Sequence, residues 1–132
     1  MWALDSMRIE KGHPAWGSDL SPPYTLREVG AERFTSDPGA APDRALTILK
    51  LDDCGYDSYP MSPVSLGGRL VDEVTSTAFG HRIGKPVAMV ILSCAGAPPG
   101  TEVEVQVFGR RIPARVHGDA PLYDPANERL RA

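Results

Sequence analysis

The chain has 132 residues, enough for one domain at about 100–200 residues each, with 42% hydrophobic and 23% charged side chains and a formal net charge of -3. That balance permits a globular core and excludes the strongly basic footprint of a nucleic-acid binder. No apolar run approaches the roughly 18 residues that would span a bilayer.

MWALDSMRIEKG at the start lacks the charged-then-apolar layout of a secretory leader, so the expected compartment is the cytoplasm. Residues 1–12 read as a short helix, with Leu4 and Met7 one turn apart on a single face and Gly12 as the stop. The stretch LDSMRIEKGHPAWGSDL then gathers Arg8, Glu10, Trp16 and Asp19 around glycines. A cation, carboxylates and a flat indole close in sequence suit a planar, anionic ligand, since arginine offers a rigid fork to a carboxylate and stacks on rings. An Arg8–Glu10 or Arg8–Asp19 ion pair that only shapes the loop is the alternative. Trp16 taken by itself reads as a packing residue.

Residues 13–33 carry Pro14, Pro22 and Pro23 and form loops, with a helical turn near Leu26 to Val29. TSDPGAAPD follows without periodicity. We place a linker over 35–44, separating a first region, 1–34, from a strand-rich region, 45–132.

Beyond the linker, Ala45 to Leu51 is mostly apolar and suits a strand buried on both faces. Asp52 to Pro63 is loop, with room for a short strand, and Gly67-Gly68 marks a turn. Leu70 to Ser76 reads as a strand, Phe79 to Lys85 as an exposed connection, and Val87 to Cys94 as the central strand. Cys54 and Cys94 read as free thiols, Cys94 a buried one.

Val103, Val105 and Val107 alternate with polar residues, and so do Ile112, Ala114 and Val116. A type II′ hairpin turning on Gly109-Arg110 would set Val107 opposite Ile112 and Glu104 opposite Arg115. Pro113 resists this register because it would need to donate a ladder hydrogen bond. Five or six short strands with turn signals indicate a mainly β fold, a small antiparallel β-barrel preceded by a short helix and a loop-rich segment.

Four stretches in order, SMRIEKGHPAWGSDL, EVTSTAFGHRIGKPVAM, GRRIPARV and PLYDP, resemble the C-terminal part of the glycine-cleavage T-protein (aminomethyltransferase) family. The likeness is closest to the branch fused to dimethylglycine and sarcosine dehydrogenases and oxidases. The first stretch matches S-L-R-L-E-K-G-x-x-x-W-G-x-D-L.

The resemblance implies tetrahydrofolate as the acceptor of a one-carbon unit from an aminomethyl donor. It puts Arg8 at the folate site, with Trp16 shaping the same region. REVGAERF matches a family stretch through Glu28 and Gly30, while Arg33 stands where an aromatic side chain contacts the pterin. The implied folate-binding residues are therefore Arg8, Trp16, Glu28 and Arg33. Asp72 and Thr77 replace family glycines, a cost to stability wherever those glycines serve positive φ.

The family's catalytic aspartate and folate-gripping glutamate belong to upstream domains with no counterpart here. The resemblance thus implies a C-terminal fragment or subunit, inactive in aminomethyl transfer by itself. Its implied partner is a second chain carrying the upstream folate-binding domains, with or without a flavin domain, or a second copy docked through residues 1–34. An exposed apolar patch around Met7, Ile9 and Trp16 would mark that docking. A non-catalytic barrel scaffold or gene remnant with no ligand is the rival reading.

Overall fold

Helix α1 (Trp2–Glu10) leads into loops, and six strands follow from Arg44 onward. The computed structural model describes residues 2–37, 39–52, 58–93, 95–118, 120–129 and 131. Cys54 and Cys94 lie outside the described residues.

The helix ends as the sequence predicts. Gly12 takes φ 71°, its amide donates to the Ile9 carbonyl, and the His13 amide donates to the Arg8 carbonyl. Those two bonds satisfy carbonyls that the last turn leaves open, and the left-handed position suits glycine. Ser6, Ile9 and Glu10 face inward, while Leu4 and Met7, the apolar pair one turn apart, are exposed. Polar anchoring described below, rather than an apolar stripe, decides the helix's orientation.

The strands are β1 (Arg44–Leu51), β2 (Pro63–Leu66), β3 (Arg69–Gly80), β4 (Lys85–Ser93), β5 (Glu102–Val107) and β6 (Arg110–Gly118). They close an antiparallel barrel in the order β1-β4-β3-β2-β5-β6. Strand β2 was not separable by pattern from the loop before it. β3 runs through Phe79 and Gly80, so the connection expected over 79–85 shrinks to the turn at 81–84. Asp72 and Thr77 both lie within β3 and neither has positive φ, so the feared backbone cost does not arise.

Two apolar clusters hold the molecule together. Leu49, Leu51, Val64, Val90, Val105 and Val116 help fill the barrel's interior. On the outside, Ile48, Val87, Met89 and Ile91 meet Ile9, Val29 and Ala31 of the N-terminal layer. β1 and β4 are thus covered on both faces, which is why they read as continuous apolar runs rather than alternating ones. Burial of each large side chain contributes about 1.5–3 kcal/mol, so both clusters weigh heavily.

The β5–β6 hairpin departs from expectation in register. Val107 pairs with Arg110, Val105 with Ile112 and Glu104 with Pro113. The turn is Phe108-Gly109, with φ 48° and 75°, as a type I′ turn requires. This two-residue shift preserves which face each side chain takes, so the alternating core residues are as expected. Arg115 now faces Glu102 at 2.9 Å instead of Glu104. Pro113 is accommodated too. Its backbone turns toward β1, where its carbonyl accepts from Asp52 just past the end of that strand, so no ladder bond needs its missing donor.

Candidate functional site

The N-terminal layer is fastened to the outer face of β3 and β4 by buried polar groups. Ser6 Oγ donates to the Phe79 carbonyl at 2.6 Å. Glu10 is buried, and its Oε1 accepts from the backbone amides of Arg82 at 2.7 Å and Ile83 at 3.2 Å, binding the turn between β3 and β4. Its backbone carbonyl accepts from Leu122 and Tyr123, so one residue joins the helix, the turn and the C-terminal segment.

Arg8 stands at the centre of this layer, its side chain only 15% exposed. Nε donates to Asp5 at 2.8 Å, and Nη1 to Asp19 at 3.0 Å and to the His13 carbonyl at 3.3 Å. Nη2 donates to Ser76 Oγ at 3.0 Å. A guanidinium has five N–H groups, so one on Nη2 remains. The Arg8–Asp19 alternative is realised, while Glu10 makes no pair with Arg8.

Asp19 is fully buried. Besides Arg8, it accepts from the Ala15 amide at 2.8 Å and from the Thr75 hydroxyl. A bulge between Val74 and Ser76 in the β3–β4 pairing makes this possible. The extra residue breaks alternation, so Thr75 reaches Asp19 while its neighbour Ser76 reaches Arg8 and Ser18. The strand pattern alone would have sent these two hydroxyls to opposite faces.

Trp16 brackets the same loop through a bridge to Leu20, but its side chain is 85% exposed. That corrects the packing role: the loop's core contacts are made by Leu20 and by Asp19's polar bonds, leaving the indole in solvent. Ile9, expected in an exposed patch with Met7 and Trp16, is fully buried against the barrel. Met7 and Trp16 do remain outside.

Glu28 and Arg33 belong to the second loop. Glu28 Oε2 accepts from the Thr25 amide and hydroxyl, and Oε1 from Arg44 Nε at 2.8 Å. The Thr25 amide first, then the Arg44 guanidinium, holds this carboxyl below its ordinary range. The pair ties the loop to the start of β1. Arg33 is exposed and lies over the ring of Phe34, 4.8 Å from its centroid. Among the described residues no hydrogen bond or ion pair joins Arg8 or Trp16 to Glu28 or Arg33.

A cavity of about 630 Å³ opens beside α1, lined by Trp2, Asp5, Tyr59, Phe79 and His81 among others. The sequence offered no sign of it, because its rings come from three separated segments. The carboxylates around α1, Asp5, Glu10 and Asp19, all accept hydrogen bonds within the chain. Around Arg8 the layer therefore provides one directed cation and exposed rings, with the neighbouring carboxylates already engaged.

Residues 44–124 match the family model described as the glycine cleavage T-protein C-terminal barrel domain. A 4-methylaminobutanoate oxidase (formaldehyde-forming) of Paenarthrobacter nicotinovorans is 34% identical over 98% of this chain and 17% of its own length. An aminomethyltransferase of Symbiobacterium thermophilum is 28% identical over 96% of this chain and 37% of its own. The mitochondrial dimethylglycine dehydrogenase of Mus musculus is 25% identical, with 98% and 17% covered. Among solved structures, the glycine cleavage system aminomethyltransferase T from Bartonella henselae superposes with a TM-score of 0.74 at 26% identity, covering 93% of this chain and 38% of that one. The chain thus spans between about a sixth and just over a third of the length of these relatives.

Proposed function

Because the chain belongs to the glycine cleavage T-protein C-terminal barrel family, we propose that it is the barrel end of a tetrahydrofolate-dependent, aminomethyltransferase-like system of one-carbon metabolism. In this reading the barrel is the support, and residues 1–34 form one wall of a folate site completed by another polypeptide region. The linker over 35–44 divides the two.

One observation carries the reading. The N-terminal layer is fastened inward by Ile9, Val29, Ala31 and hydrogen-bonded polar groups, yet leaves large apolar side chains outside, with Trp2 89%, Met7 59% and Trp16 85% exposed. Large exposed apolar side chains grouped on one layer mark an interaction surface. The partner that fits is the upstream portion of the same kind of protein, in which the remaining folate contacts would lie.

The residues present fit folate as a ligand. Arg8 keeps one N–H on Nη2, held in direction by Asp5, Asp19 and Ser76, and a fixed donor of this kind suits a carboxylate or a pterin carbonyl. Trp16 offers an uncovered indole face, and Arg33 a planar guanidinium where the family has an aromatic ring. Glu28 serves by fixing the second loop to β1. Tetrahydrofolate would supply the nucleophilic nitrogen that takes up the one-carbon unit; this chain contributes orientation and positive charge. The two carboxylates beside Arg8, Asp5 and Asp19, are both held by it, so we expect no aminomethyl transfer by the isolated chain.

The rival, a barrel scaffold without a ligand, draws on the same arginine: four of its five N–H groups are used within the chain. Calorimetric titration with tetrahydrofolate, with and without a polypeptide carrying the upstream domains of an aminomethyltransferase relative, separates the two. The folate-wall reading expects binding with the partner present that weakens in Arg8→Ala. The scaffold reading expects no effect of that substitution.

A further inference from the structure

β1, β4 and β6 place three cations on one outward face. Lys50 stands directly opposite Arg115 in the β1–β6 pairing and opposite Val87 in the β1–β4 pairing. Lys85 lies two residues before Val87 on β4, so its side chain takes the same face. Like charges directly opposite each other destabilise a sheet. The repulsion between Lys50 and Arg115 is only partly relieved, because Arg115 shares its charge with Glu102 at 2.9 Å. Neither the Lys50 nor the Lys85 side chain makes a hydrogen bond or ion pair among the described residues.

These three side chains line a cavity of about 540 Å³ whose other walls include Asp52, Glu102, Ile83 and Leu122. Its charge is three positive against two negative, and half-buried Ile83 and Leu122 give it an apolar side. The volume falls in the range of small-molecule sites. None of Arg8, Trp16, Glu28 and Arg33 lines it, so it stands apart from the proposed folate wall.

We propose that this cavity binds a small amphipathic carboxylate. The ligand's anionic end lies among Lys50, Lys85 and Arg115, and its aliphatic part rests on Ile83 and Leu122. Charge alone would draw any anion; the apolar side selects one with a hydrocarbon body.

The test is an NMR titration of the ¹⁵N-labelled chain at low ionic strength, with pentanoate as the probe and inorganic phosphate and propylammonium beside it. Pentanoate is expected to give saturable shifts at the amides of Lys50, Ile83, Lys85, Arg115 and Leu122, and propylammonium none there. The double variant K50Q/K85Q should weaken pentanoate about tenfold or more, roughly what the loss of 1.4 kcal/mol would do. Its thermal midpoint should hold or rise, since the repulsion across β1 and β6 is gone. Shifts mapping elsewhere, no saturation up to about 50 mM, or an unchanged affinity in the double variant would each overturn the site. Phosphate binding as tightly as pentanoate would overturn the apolar half of the assignment. The single variants K50Q and K85Q, each expected to weaken binding, provide the same reading should the double variant fold poorly.

Discussion

Asp19 holds three donors at once: the Arg8 guanidinium, the Ala15 amide and the Thr75 hydroxyl. Taking one partner from a buried ion pair leaves the other charge poorly compensated, which costs about 3–5 kcal/mol. Asp19→Ala should therefore lower stability by about 3 kcal/mol in urea unfolding, the low end because Asp5 still faces Arg8. Asp5→Ala, at a more exposed position, should cost under about 1 kcal/mol. Thr47 is the opposite case, a buried hydroxyl with no partner among the described residues. Thr47→Val keeps the shape and removes the unmet polar group, so it should leave stability unchanged or raise it by up to about 1 kcal/mol. Glu28 gives a pH signature. Its carboxyl is held below its ordinary value of 4.5 by the Thr25 amide and Arg44. The stability it adds is present above that value and is lost as pH falls through the lowered one. The difference in thermal midpoint between the protein and Glu28→Gln should accordingly shrink as the pH falls below 4.5.

Among the elements, the β5–β6 hairpin shows what alternation can and cannot decide. Period-2 patterning assigned Val103, Val105, Val107, Ile112, Ala114 and Val116 to the core, and all six are buried. It could not choose between turns on Phe108-Gly109 and Gly109-Arg110, because both keep those faces. The type I′ turn prevails although it puts a bulky Phe108 at φ 48°, where its ring meets Tyr59 at 5.6 Å. Gly109 sits at φ 75° in that turn. Gly109→Ala should thus cost about 1–2 kcal/mol, read as a lower urea midpoint with an unchanged slope. The bulge at Thr75 was illegible for a related reason: nothing in EVTSTAF distinguishes an inserted residue from regular alternation. Yet that bulge aims Thr75 and Ser76 at Asp19 and Arg8. Helix α1 was placed correctly by its glycine stop, but which residues it turns inward was not legible. Ser6 and Glu10 are drawn in by backbone groups of β3 and the following turn, while Ile9, expected outside, is buried.

As a whole molecule, the chain is a closed barrel carrying a thin second layer. The barrel was readable from strand runs and turn residues, and the family from four ordered stretches. The layer's chemistry was only half readable. Arg8 was visible as the pointed residue, but its partner Ser76, and Thr75 that binds its counter-ion Asp19, lie more than 50 positions away on the barrel, and their contacts depend on the bulge. No helix among the described residues is long and apolar enough to cross a membrane. Exposed Trp2 and Trp16 provide a built-in reporter of docking. Their fluorescence should shift to the blue when the upstream domains of a relative are added, and not when an unrelated protein is.

The central claim, that Arg8 faces a folate site shared with another polypeptide region, is tested most directly by calorimetric titration of tetrahydrofolate into the chain assembled with those upstream domains. The account predicts binding that the chain alone does not show, weakened about tenfold or more in Arg8→Ala, in line with the 1.4 kcal/mol or more carried by a charged hydrogen bond. An affinity identical in the protein and in Arg8→Ala, with the variant assembled and folded, would contradict it.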